Sequence, residues 1–207
     1  MKLVMEMKKK ILNHCMKIVK DKYPEYAEDK LEVISYGLES IYLTFTKIII
    51  IFILAIILNI WKEVLLLLAF YNLIRVTAFG MHAKKSIHCL IISLTLFIGG
   101  VYLCKYLVIP LILKVVLSIT CIVLIAKYAP ADTEKRPIIN KKLRKKYKIV
   151  SVIIAGMFAI AIVLLSDKNI SNYLLLGMIE ATIMLLPITY KVFDLPYDNY
   201  KNYLNEV

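Results

Sequence analysis

Several features are missing from this sequence, and each absence narrows its class. It has no C-x-x-C pair and no H-x-x-H, and its four cysteines, at 15, 89, 104 and 121, fit no zinc spacing. Three of the four lie in or beside apolar runs, so separate reduced thiols are expected rather than a disulfide framework, and no metal or organic cofactor is implied. No cleavable leader is expected, because lysines 2, 8, 9, 10, 17, 20 and 22 interrupt the N-terminus before an apolar region can form. There is no internal repeat and no low-complexity tail. Acidic residues are scarce, 15 against 27 Lys and Arg, which leaves a net charge of +12. A basic balance suits nucleic acid in a soluble protein, but beside long apolar runs it suits anionic lipid or an acidic peptide, and no nucleic-acid partner is expected.

What is abundant is apolar sequence. Apolar residues make up 60% of the chain and the mean hydropathy is +0.73, whereas a soluble domain is about half apolar. Residues 1–23 repeat Val4, Met7, Ile11, Cys15 and Ile18 at helical spacing with lysines mostly opposite, the pattern of a helix lying in the membrane interface. Pro24 ends it, and a second helix is expected from near Ala27, with Leu31, Ile34 and Leu38 on one face. Six apolar segments follow, at 41–60, 62–79, 86–104, 106–127, 148–166 and 171–192, each about long enough to cross ~30 Å of hydrocarbon. Arg75 lies near enough to the end of the second to snorkel to the interface.

Lysine and arginine set the orientation. With the N-terminus inside, twenty-two of the 27 fall in inner segments and only Lys62, Lys105 and Lys168 in outer ones. The expected architecture is therefore an all-α integral membrane protein: a single domain over 1–207, interfacial helices in 1–40, six transmembrane helices in 41–192, and both termini cytoplasmic. The basic loop 128–147 faces the cytoplasm as well.

The richest stretch of reactive groups is RVTAFGMHAKKSIHCL, residues 75–90, where the second span returns to the cytoplasm. A thiol with an ordinary pKa of about 8.5 needs a base to act as a nucleophile, and an imidazole within reach supplies one. His88 adjoins Cys89 and points elsewhere on a helix. His82 is seven residues earlier, ~10.5 Å away along an unbroken helix, too far for a hydrogen bond. If His82 serves Cys89, the chain must turn between them. Gly80 suits that turn, and Ser86 suits the cap of a new helix carrying Cys89 in its first turn, where the positive helix end favours a thiolate. By itself a thiol and an imidazole near a span boundary are met more often as packing residues. Cys15, Cys104 and Cys121 are read as small apolar fillers, and His14 and His88 as surface groups.

The run R-x(4)-G-x-H-x(6)-C, formed by Arg75, Gly80, His82 and Cys89, resembles the core of the accessory gene regulator B (AgrB) family. YGLE at 36–39 and YAPADTEKRPI at 128–138 agree with it, so the resemblance covers nearly the whole chain. One departure is visible: where the family often has Gly-Gly before the histidine, this chain has Phe79-Gly80-Met81. The resemblance implies a cysteine endopeptidase in the cell membrane of a Gram-positive bacterium, its active site facing the cytoplasm. Such an enzyme removes the C-terminal tail of an AgrD-like precursor and leaves a thiolactone ring, in quorum sensing. By position Cys89 then matches the nucleophile, His82 the general base, and Arg75 and Gly80 positions needed for activity; a homodimer is in keeping with the family.

Precursors of this class carry an acidic end, which Lys84, Lys85, Lys135, Arg136 and the 141–146 cluster would attract; contact with anionic lipid is the alternative for the same residues. Glu39 either orients His82 or pairs with Lys47, and Asn72 is a further candidate to orient it. Glu180, mid-way along the last span, is expected to be protonated or to pair with a basic group such as Lys114, since a bare carboxylate there costs ~3 kcal/mol or more. A transporter would place paired polar groups deep in several spans and carry internal symmetry; a structural membrane protein would use neither Cys89 nor His82.

Overall fold

The computed structural model describes residues 2–81, 86–134 and 137–203, with side chains for all of these except 2–8, 29, 36, 40 and 86. Among the described residues there is no strand, and the chain is helical nearly throughout. It divides into two compact units, Met1–Ile53 and Leu54–Val207.

The first unit contains α1 (Lys2–Lys22) and most of α2 (Glu28–Ile57). The chain turns at Tyr23–Ala27, where Pro24 denies the helix an N–H donor and the Tyr23 and Tyr26 rings stack 4.9 Å apart. On α1 the half-buried stripe is Leu12, Cys15, Met16 and Val19, whereas Ile11 and Ile18 are exposed. The sheltered face is thus rotated by about one residue from the one read in the sequence. On α2, Leu31, Ile34 and Leu38 are half-buried, as their spacing suggested.

The second unit is a helical bundle. Its helices are α3 (Trp61–Ala78), α4 (Ser86–Leu94), α5 (Gly100–Tyr106), α6 (Leu111–Tyr128), α7 (Lys141–Leu164), α8 (Lys168–Ile183) and the short α9 (Pro187–Val192). A π turn at Thr95–Gly99 joins α4 to α5 in one continuous rod. Contacts between helix ends fix alternating directions. Lys105 at the end of α5 pairs with Glu63 at the start of α3, at 3.0 Å. Lys114 at the start of α6 donates to Ser171 at the start of α8, at 3.0 Å. The opposite ends meet too, where Ala131 after α6 bonds Ala78 at the end of α3.

Among the described residues, four helices are long and apolar enough to cross a membrane: Lys30–Ile57, Ile87–Tyr106, Leu111–Tyr128 and Lys141–Leu164. Their outward faces are what lipid requires and water does not, with Ile57 72%, Ile112 81% and Leu164 75% exposed. The inward faces are narrow and rich in small or polar residues: Lys114, Ser118, Cys121 and Ile125 on α6; Ser151, Ala155, Phe158 and Ile162 on α7. Small residues at that four-three-four spacing let helix backbones approach closely.

The segments at 62–79 and 171–192 differ from the other four. On α3 the charges of Lys62, Glu63 and Arg75 interrupt the apolar run. The run 171–192 is two helices rather than one, because Pro187 cannot continue the ladder and starts α9 instead. α8 is buried over most of its surface. A Cβ at Gly177 would lie 3.0 Å from the Tyr71 backbone nitrogen, so this glycine sets how closely α8 packs on α3.

The basic stretch read as part of a loop is likewise helical in its second half. Asn140 caps α7, its side chain accepting from the N–H groups of Lys142 (2.9 Å) and Leu143 (3.2 Å), so 141–147 form the first turns of the helix. Glu180 faces protein and is 3% exposed, but Lys114 does not reach it. That ammonium is held at the other end of α8 by Ser171 and the Lys168 carbonyl.

Candidate active site

The segment 75–90 is not one helix. α3 stops at Ala78, and the next two residues take positive φ, 60° at Phe79 and 118° at Gly80. For Gly80 that value lies where a side chain is strained, and a Cβ would strike the Arg75 guanidinium and come within 2.7 Å of the Met184 carbonyl oxygen. Phe79, which stands where the resemblance suggested a second glycine, is held in its unusual conformation by its surroundings. Its ring meets Tyr147 of α7 edge-on at 5.0 Å, and its backbone bridges to Ala131.

Two segments distant in sequence, and the preceding helix itself, fix this turn. The Gly80 N–H donates to the Ala131 carbonyl at 2.8 Å, and the Ala131 N–H donates to the Ala78 carbonyl at 3.0 Å. The Met81 N–H donates to the Met184 carbonyl, at 3.0 Å, where the chain leaves α8. Arg75 closes the turn from its own helix, donating through Nη2 to the Met81 carbonyl at 3.1 Å. Arg75 therefore does not snorkel. Its guanidinium is directed into the fold, 5.5 Å from the Tyr71 ring centre, with Nη1 buried and unbonded. The physical reason is local: breaking the helix at Phe79 exposes the Met81 carbonyl, and Arg75 is one turn back on the same side.

Beyond Met81 the chain reaches His82, Lys84 and Lys85, which lie outside the described residues, as do Lys135 and Arg136 of the 128–138 element. α4 begins at Ser86, whose side chain is also outside them, and Cys89 is the fourth residue of that helix. Cys89 is half-buried and belongs to no disulfide; Ile87 and His88 beside it are exposed. The Cys89 carbonyl accepts from the Ser93 hydroxyl at 2.8 Å, which ties the first turn of α4 to the second. Cys104 and Cys121 are buried among apolar neighbours, in keeping with a packing role. Asn72 is exposed, and its amide donates back to the Leu68 carbonyl at 2.8 Å. Glu39 lies on α2 in the first unit.

Two further residues join the site that reading the sequence did not single out. The Tyr71 hydroxyl lies within electrostatic reach of Arg75, Glu180 and Cys89, and its ring packs edge-on against Phe97 in the π turn at 5.3 Å. Asp132, within YAPADTEKRPI, is buried directly behind the turn. The signal for Asp132 was one of only two acids, with Glu134, in a stretch otherwise rich in basic residues; Tyr71, inside an apolar run, offered none. Among the described residues no group of His, Cys, Asp and Glu could hold a metal ion. The chemistry the described residues offer is that of a thiol at a positive helix end, on the helix that follows a pinned backbone turn.

Comparison with known proteins agrees with this frame. A family model described as accessory gene regulator B matches residues 10–185. An AgrB-like protein of Clostridium acetobutylicum is 38% identical over 165 residues, covering 79% of this chain and 78% of its own. An AgrB-like protein of Listeria innocua is 30% identical over 192 residues, with 90% and 91% covered. The accessory gene regulator protein B of Staphylococcus aureus is 33% identical over 158 residues, with 76% and 83% covered. No solved structure matches.

Proposed function

The chain belongs to the accessory gene regulator B family, and from that premise we propose that it is a membrane cysteine endopeptidase which releases the tail of an AgrD-like precursor and enables ring closure. Family membership supports a role in peptide processing within an accessory gene regulator system. The finer assignment is Cys89 as nucleophile and His82 as general base, with Arg75, Gly80 and Ser86 holding their backbone. One observation carries it. α3 ends ahead of residue 82, at a turn pinned by Ala131, Met184 and Arg75, and Cys89 occupies the first turn of α4.

In this reading the Cys89 thiolate attacks a precursor carbonyl, and the proton held by His82 passes to the departing amine of the tail. An acyl thioester on Cys89 results. A cysteine of the precursor then attacks that thioester, forming one thioester as another breaks, so ring closure is nearly balanced. The first step, amide to thioester, is uphill, and removal of the tail or ring draws it forward. Water competes for the same thioester, and a site at the membrane boundary limits its access.

We take the topology to be six spans with both termini cytoplasmic, α3 and α8 crossing inside a shell formed by more apolar helices. The charge distribution along the chain supports it, as does the burial of α8. The acidic tail of the precursor would meet Lys84, Lys85, Lys135 and Arg136. The exposed Lys141, Lys142, Lys145 and Lys146 suit anionic headgroups.

The test is reconstitution with a precursor peptide, following tail release by mass spectrometry for the wild type, Cys89→Ala and His82→Ala. Both variants are expected to lose release, and the wild type to yield a trapped acyl adduct on Cys89. Release that persists in either variant removes that residue from the mechanism.

A further inference from the structure

Asp132 is 2% exposed, a carboxylate buried at the end of the second unit where α3 and α6 stop. A buried carboxylate must be matched bond for bond, and this one is. Oδ1 accepts the Asn199 N–H at 3.1 Å. Oδ2 accepts the Tyr200 N–H at 3.0 Å, the Ile138 N–H at 3.3 Å and Arg144 Nη1 at 3.4 Å. Arg144 in turn donates through Nη2 to the Pro130 carbonyl at 3.3 Å, and its guanidinium sits 3.5 Å from the Tyr200 ring centre. The Tyr190 hydroxyl reaches the Asp132 carbonyl at 2.9 Å and the Ala131 carbonyl at 3.3 Å.

The neighbour of Asp132 is Ala131, whose N–H and C=O hold Ala78 and Gly80. An unbroken line of bonds therefore runs from the C-terminal segment 199–200, through the Asp132 side chain and one peptide unit, to the turn that precedes residue 82. Of the basic cluster 141–146, Arg144 alone among the described side chains is only partly exposed, and it is spent on this junction.

We propose that Asp132 is a positioning residue for the peptidase reaction: by locking the C-terminal segment and Arg144 onto the 129–138 loop, it fixes the turn from which His82 leaves. This inference rests on the assignment of His82 and Cys89 made above. Asp132 touches neither the nucleophile nor the substrate in this role. It acts through Ala131 and Gly80, so its loss should misplace the base without removing the precursor's binding surface.

The experiment uses the full chain in phosphatidylglycerol-containing vesicles, with Cys15→Ser throughout so that alkylation reports on Cys89. Asp132→Ala, Asp132→Asn and Arg144→Lys are compared with His82→Ala. Tail release gives kcat and KM, and the rate of iodoacetamide alkylation against pH reports how far an imidazole assists the thiol. Asp132→Ala is expected to lower kcat by at least about tenfold, the effect of losing bonds to a buried charge, with KM within about twofold. Its alkylation profile should move toward that of His82→Ala. Asp132→Asn should fall between, since one amide oxygen can still serve the Oδ2 donors, and Arg144→Lys, the mildest change, keeps the test open where Asp132→Ala does not assemble. If His82→Ala abolishes release while the Asp132 and Arg144 variants keep the wild-type kcat and profile, this proposal alone is overturned. It is also overturned if their losses fall wholly on KM. Wild-type release by His82→Ala overturns the dyad and this proposal with it.

Discussion

Replacing Gly80 by alanine tests the turn directly, because its cost can be worked from the backbone. At φ 118° an L-residue is strained by about 1–3 kcal/mol. The added methyl would also lie 2.7 Å from the Met184 carbonyl oxygen and 3.1 Å from its carbon, backbone atoms that cannot rotate away. Its collision with Arg75 involves a side chain that can move, but only by giving up the bond to the Met81 carbonyl. Relief therefore requires the turn to shift and to lose one of the Ala131 or Met184 bonds, at about 1 kcal/mol. The sum is ~3 kcal/mol, which for a chain of this size lowers Tm by roughly 6–12 °C. Gly156→Ala is the control. That glycine lies within α7 with nothing inside 4 Å of a Cβ, so alanine should be neutral or stabilising by up to about 1 kcal/mol. Thermal unfolding in detergent, with tail release alongside, reads both. A Gly80→Ala protein within 2 °C or so of wild type, releasing tail at the wild-type rate, would refute the account of the turn.

Two other substitutions follow from the same geometry and charge. Gly177→Ala should destabilise the α3–α8 contact by about 1–2 kcal/mol, since its methyl would press on the Tyr71 nitrogen and Phe70, and unfolding in detergent measures it. Lys135→Glu with Arg136→Glu should raise KM for a precursor with an acidic tail, and the effect should shrink as salt shortens the Debye length below ~8 Å; a KM insensitive to both reversal and salt rules out tail recognition there.

Much of the fold was readable because lipid imposes a simple rule on sequence: a run of apolar residues of the right length, bounded by charge. α2, α4 with α5, and α6 end within a few residues of where composition changes. What was not readable depended on contacts between segments. Nothing local distinguishes an arginine that snorkels from one that turns inward, and Arg75 turns inward because the helix break leaves the Met81 carbonyl for it to bind. The helical start of α7 was hidden by its lysines and arginine, which oppose the helix dipole, although Asn140 is a cap that could have been recognised. Glu180 was expected to be protonated or to pair with a basic group such as Lys114; it faces protein, and the register of α6 and α8 gives that lysine Ser171 instead. At the site, the glycine singled out in the sequence lies in a turn at the end of α3, ahead of residue 82. The partners that fix the turn, Ala131 and Met184, are backbone groups some fifty and one hundred residues away, and backbone carries no sequence signature.

That last point bears on how a catalytic pair can be organised in so small a protein. Consecutive Cα atoms are ~3.8 Å apart across a trans peptide, so residue 82 begins within that distance of Met81 whatever its own conformation. Met81 is held at both ends of its backbone, its N–H by Met184 and its C=O by Arg75. Cys89 is held separately, by the helix whose first turn it occupies. In the proposed dyad, the separation of base and nucleophile would then depend on how the α3 terminus and the start of α4 are mounted on the bundle. Mutations that loosen either mounting, at Gly80, Arg75 or Asp132, should therefore reduce turnover more than changes of side chain at Ala83, which leave the chain length and both mountings as they are. A full substitution series at residue 83 with kcat as sensitive as at Gly80 would contradict this, and would move the origin of the geometry from the bundle to the linking segment itself.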